Sequence, residues 1–144
     1  MNHTRIQDAL EALLKPRGFV ALDPRAPDPD TMGGWCAEYL TDEFRVIASQ
    51  DRTGDVVSIC VGSRIRRKPA AQMRGPWSLS HLRGHLDGSL VHYIFGCVED
   101  QIDWFHDNVT EILQTPLLNS DHLNQWSVDA SRRLFGQPVR KRKA

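Results

Sequence analysis

Between Trp35 and Val61 the chain runs through three short apolar stretches separated by two tight polar joints, and this restricts the fold more than any other feature. From Trp35 to Leu40, Trp35, Ala37 and Tyr39 fall on one side. From Phe44 to Ser49, Phe44, Val46 and Ala48 alternate with Arg45, Ile47 and Ser49. A period of two belongs to an extended strand with one face in a core. Val56 to Val61 is almost wholly apolar, the pattern of a central strand covered on at least one face. Thr41-Asp42-Glu43 suits a hairpin, and Asp51-Arg52-Thr53-Gly54 supplies a glycine for a left-handed turn position. Three sequential strands with such joints predict an antiparallel meander, with Ile65 extending the last strand.

Helical spacing flanks the meander. Thr4 is placed to cap a first helix carrying Ile6, Leu10, Leu13 and Leu14, and Pro16 and Gly18 end it. Residues 23–34, with three prolines and two glycines, predict a surface loop. Residues 66–87 show no clear period. From Ser89 onward Val91, Ile94, Phe95, Val98, Ile102, Phe105, Val109 and Ile112 recur at threes and fours, predicting one long amphipathic helix that ends near Pro116. Ser120-Asp121 begins a final helix bearing Leu123, Trp126, Ala130 and Leu134, which Gly136 and Pro138 stop. The expected fold is α+β: an N-terminal helix, a three-stranded antiparallel meander, and two C-terminal helices packed on one face of the sheet. At 144 residues, a single domain over 1–138 with a flexible basic tail at 139–144 is expected.

No apolar run reaches the roughly 20 residues of a membrane span, so no membrane partner is expected. The opening MNHTRIQDALEALL carries acids among its apolar positions, unlike a signal peptide. Cys36, Cys60 and Cys97 form no CxxC pair, and their odd count argues against a disulfide framework. Free, mostly buried thiols in a cytoplasmic protein are the expectation.

The motifs for chemistry are thin. His81 and His85 stand four apart, with Asp87 nearby as a third metal ligand. Leu82, however, occupies the place of the glutamate in HExxH, and Gly84 weakens a helix there. No GxSxG elbow, phosphate loop or dinucleotide fingerprint occurs. The neighbouring acids Asp42-Glu43 and Glu99-Asp100 do not form a dyad, because consecutive helical residues point about 100° apart. The reading is a non-enzymatic chain with no catalytic residue, metal or cofactor.

Charge is more informative. The 18 Lys and Arg balance the 18 Asp and Glu, but in blocks. Residues 64–83 hold six bases and no acid, 84–131 hold eight acids and no base, and 132–144 hold six bases and no acid. Blocks of this kind mark a face or a tail. With Val98 at the centre of the buried side, steps of 100° place Asp100, Asp103, Asp107 and Glu111 within about 40° of the opposite side. Trp104 borders this stripe. Asp103/Asp107 and Asp107/Glu111 are i,i+4 like-charge pairs, each costing a few tenths of a kcal/mol. Either a solvated face tolerates that cost, or something basic sits against it. The basic stretch Arg64, Arg66, Arg67, Lys68 and Arg74 has three open roles: a nucleic-acid contact joined by Arg140 to Lys143, an exposed loop without a partner, or a counterpart for acidic surface. Trp77 is the one aromatic platform near it, and zero net charge gives no long-range pull toward a polyanion.

The segments Glu38-Tyr39-Leu40-Thr41-Asp42-Glu43-Phe44-Arg45-Val46 and Asp51-Arg52-Thr53-Gly54-Asp55-Val56-Val57-Ser58-Ile59-Cys60-Val61-Gly62 resemble a small bacterial immunity-protein-like family. In that group a leading helix precedes a Y-x-S-D-x-φ-R-φ…D-R-x-G…V-x-I-G strand pattern (φ apolar), and helices follow. The resemblance covers about residues 7–113, and the basic 64–75 stretch and the tail depart from it. It implies a cytosolic inhibitor that binds and blocks a toxin, and it carries over no site residues. Together with the stripe it leads to an expected protein partner, such as a basic toxin domain, met by Asp100, Asp103, Trp104, Asp107 and Glu111. A homodimer and a small nucleic-acid-associated protein are the alternatives.

Overall fold

A computed structural model gives the fold, and the structure describes residues 2–31, 33–54, 56–65 and 75–135. The first helix, α1 (His3–Leu14), buries Ile6, Leu10 and Leu14. Its cap is Asn2 rather than Thr4: the Asn2 side chain accepts the Arg5 N–H at 3.0 Å, the bond that an N-cap side chain supplies to an orphan amide. Gly18 closes the following turn at φ 87, a left-handed position that glycine adopts without strain.

The expected antiparallel pairing forms, in a larger sheet than a three-stranded meander. Strands β3 (Gly34–Leu40), β4 (Phe44–Gln50) and β5 (Ser58–Ser63) pair in sequence. Three further short strands make six: β1 (Val20–Ala21), β2 (Arg25–Asp28) and β6 (Trp77–Ser78). The order is β1-β3-β4-β5-β6, with β2 also on β3. Residues 25–28 therefore form a strand within the segment read as a loop. Pro27 is tolerated because β2 pairs β3 alone, and an edge strand needs no second row of N–H donors. The two-residue strands are too short for any periodicity. β5 begins two residues later than its apolar run, leaving Val56 exposed, and it stops at Ser63 before Ile65.

Alternation places the core correctly. Trp35, Ala37, Tyr39, Val46, Ala48, Ile59, Val61 and Trp77 line the buried face of the sheet, with Tyr39 opposite Val46 and Val46 opposite Val61. On the other face Arg25 and Arg45 both reach Glu38, at 3.3 and 3.2 Å.

The helices differ from expectation in one important way. α3 spans Val98–Ile112, not the whole stretch from Ser89. A separate helix, α2 (Leu79–Leu86), forms in the aperiodic region, capped by Ser78, which accepts the His81 N–H. Gly88 at φ 70 follows it, and residues 89–97 run as an irregular strap. The strap's backbone is satisfied from outside: Ser89 N–H donates to Gly84 O, Tyr93 N–H to Ser80 O, and the Trp126 indole to Ser89 O. Ile94, a core position on the helical reading, is 72% exposed. Gly84 does not break α2. It allows close packing, since a Cβ there would lie 2.6 Å from Val91 O and 2.8 Å from His92 Cα. A short α4 (Thr115–Leu118) leads to α5 (Asp121–Phe135), where Ser120 Oγ accepts the Leu123 N–H. Leu123 and Ala130 are buried as expected, but Leu134 is 38% exposed. Gly136, Pro138 and the tail at 139–144 lie outside the described residues. No helix among the described residues is long and apolar enough to cross a membrane.

Candidate functional site

The inner side of α3 is fixed to the body by Gln101, Ile102, Phe105, Val109 and Ile112. Gln101 was not singled out from the sequence, yet it does a specific job. Its Oε1 accepts the Ile59 N–H at 3.2 Å and its Nε2 donates to Val57 O at 3.1 Å. Among the described residues β6 reaches only Cys60 and Val61, which leaves the backbone groups at Val57 and Ile59 to another partner, and this buried amide provides both halves. A glutamine at a buried-face position of an amphipathic helix is the sequence signal that would have found it.

With that side clamped, Asp100, Asp103, Asp107 and Glu111 all face solvent, and each is exposed. Among the described residues none of the four has a Lys or Arg within ion-pair distance. Asp107 has His106 Nδ1 at 3.3 Å from Oδ1, both side chains being well exposed. The four are not equivalent. Asp100, like Glu99, lies in the first turn, where the partial positive charge of a helix N-terminus favours acids. A backbone N–H bond at that end, with help from Cys97, holds the Glu99 carboxyl below the usual carboxylate range. Asp103 and Asp107 repel one another in mid-helix, and Glu111 sits in a last turn that carries no base. Local helix physics favours only the first of the four.

Trp104 stands at the border of this face, half-buried, and packs toward α2 and the strap rather than under α5. Its ring centre lies 6.0 Å from Phe95 and 5.7 Å from the Arg83 guanidinium. Arg83 also stacks 3.7 Å over Tyr93 and reaches Asp87 at 3.5 Å. Partly exposed cation–π contacts of this kind contribute about 0.5–1 kcal/mol. Of the two described bases of the first basic block, Arg83 approaches the acidic helix, through an aromatic clasp.

Of the basic stretch, Arg64 is described: its Nη1 donates to Thr41 O at 2.6 Å, and its backbone N–H donates to Glu43 O. Arg66, Arg67, Lys68 and Arg74 lie outside the described residues. Arg64 and Arg17 line an open hollow of about 770 Å³ at one end of the sheet, with Phe19, Phe44 and Leu113. His81 and His85 do share α2, but Asp87 turns to Arg83, and each imidazole faces another histidine. All three cysteines are free: Cys36 is buried and Cys60 half-buried, with burial pushing the Cys60 thiol upward, whereas Cys97 is exposed at the start of α3. No family model, curated protein or solved structure matches this chain.

Proposed function

We propose that the chain is a non-enzymatic protein-binding domain that presents the outer face of α3 to a basic surface. One observation carries this reading: Asp103, Asp107 and Glu111 are exposed on one rigid helix, in positions its own electrostatics disfavour, with no Lys or Arg against them among the described residues. A partner that supplies the missing positive charge removes that cost on binding. Clustered carboxylates steer a basic partner during diffusion and fix its orientation on contact. Trp104 and its aromatic neighbours form the apolar edge of the contact, the kind of group enriched where binding energy concentrates.

The more specific form of the proposal is an immunity-like inhibitor acting in the cytoplasm. A domain that degrades nucleic acid must hold phosphates and so carries a basic cleft, which a row of carboxylates can occupy and block. Co-expression with the product of the adjoining gene tests this form. The inhibitor reading expects that product to arrest growth alone and to be neutralised by this chain in a stoichiometric complex. A harmless neighbour that forms no complex with it would remove the inhibitor reading and leave only the general one.

A further inference from the structure

Four of the six histidines meet at a single seam. His81 and His85 project from α2, His92 comes from the strap, and His122 opens α5. The His81 and His92 rings lie 4.8 Å apart, and those of His85 and His122 lie 5.4 Å apart. Trp126 stands edge-on to both α2 histidines, at 6.5 and 5.5 Å. The seam is tight because a Cβ at Gly84 would come within 2.7 Å of the Trp126 ring. His81 Nδ1 is 2.6 Å from Ser78 Oγ, the cap of α2, and His92 Nδ1 is buried with no hydrogen-bond partner among the described residues.

We propose that this seam is a proton-operated latch: with His81 and His85 neutral, α5 and the strap stay against α2, and protonation of these two releases them. Each half-buried α2 histidine has another histidine as its ring neighbour, so a second proton at either pair places like charges together at a site that also resists charging. Burial first, and then His92, holds His81 below the ordinary histidine value; burial and then His122 do the same for His85. Other charged groups lie on the packed elements, among them Arg132 in the last turn of α5. On α2, Arg83 faces Asp87, and its guanidinium covers Tyr93 of the strap. On α5, Asp129 accepts from Gln125, Arg133 donates to Leu90 O, and Asp121 has interactions of its own. Beneath α2, Cys60 is kept neutral by burial. The sign follows: the folded seam binds fewer protons than the unfolded chain, so its stability is present above about pH 6.5 and is lost as pH falls below it.

Hydrogen exchange of the full chain from pH 7.5 to 5, corrected for the intrinsic pH dependence of exchange, tests the latch. Residues 79–95 and 121–135 should lose protection relative to β3 and β4 by about tenfold per pH unit for each extra proton taken up. The double variant His92→Gln, His122→Gln removes the repelling partners and should shift that loss about half a pH unit or more downward. NMR titration of the histidine ring protons in the unmodified chain decides the matter even if the variant does not fold. His81 and His85 should titrate below about 6.5, together with the loss of protection. A constant protection ratio down to pH 5, titration of these two histidines at or above their ordinary value, or a folded variant that opens at the wild-type pH would each overturn the proposal.

Discussion

Gln101 shows how much one side chain can decide in this fold. Its amide bonds the Ile59 N–H of β5 and the Val57 carbonyl just before that strand, from the buried side of α3, so it ties strand to helix with the same atoms. Replacing it with leucine keeps the volume nearly constant but strands two buried backbone groups. Each orphan costs about 1–3 kcal/mol, so Gln101→Leu should lower stability by about 2–4 kcal/mol in urea denaturation. A change under 1 kcal/mol would mean that β5 does not depend on this clamp. The outward residues behave differently. Asp103, Asp107 and Glu111 contribute nothing favourable to their own helix, which is why they are informative about what lies outside the chain.

At the scale of elements, the α2–strap–α5 seam rests on close backbone approach. Gly84→Ala adds a methyl where Val91 O, His92 Cα and the Trp126 ring already stand within 2.6 to 2.8 Å. Overpacking of this kind should cost about 1–3 kcal/mol and shift Trp126 fluorescence, as thermal melts and emission spectra would show. Unchanged values would mean that the seam is looser than described. The same region marks where sequence reading failed and why. Alternation over Trp35 to Ser49 gave the buried face of the sheet correctly, because each strand is long enough to show a period and one side is covered. Three- and four-residue spacing found α1 and most of α3 and α5 for the same reason. Between 77 and 97 it misled: Val91, Ile94 and Phe95 fell at helical intervals by coincidence, while Gly84 looked like a breaker. What distinguishes the strap is contact of Tyr93 with Ser80, Ser89 with Trp126 and Leu90 with Arg133, partners distant along the chain that local spacing cannot report. The acidic stripe was legible because its residues lie on one uninterrupted helix. The histidine seam was half legible, since His81 and His85 are neighbours in sequence but His92 and His122 arrive through the fold.

Over the whole molecule, zero net charge conceals segregated charge, and the outer face of α3 is its clearest described part. The central claim is that this face, rather than acidity in general, selects a partner. The direct measurement is affinity capture with purified protein at low and physiological salt, comparing the wild type, Asp103→Lys/Asp107→Lys, and a control reversal of the exposed hairpin acids, Asp42→Lys/Glu43→Lys. The binding account predicts a basic partner retained by the wild type and by the control. The α3 reversal should release that partner, with a loss of affinity of at least about tenfold and no loss of folding. Identical retention by all three proteins would contradict it.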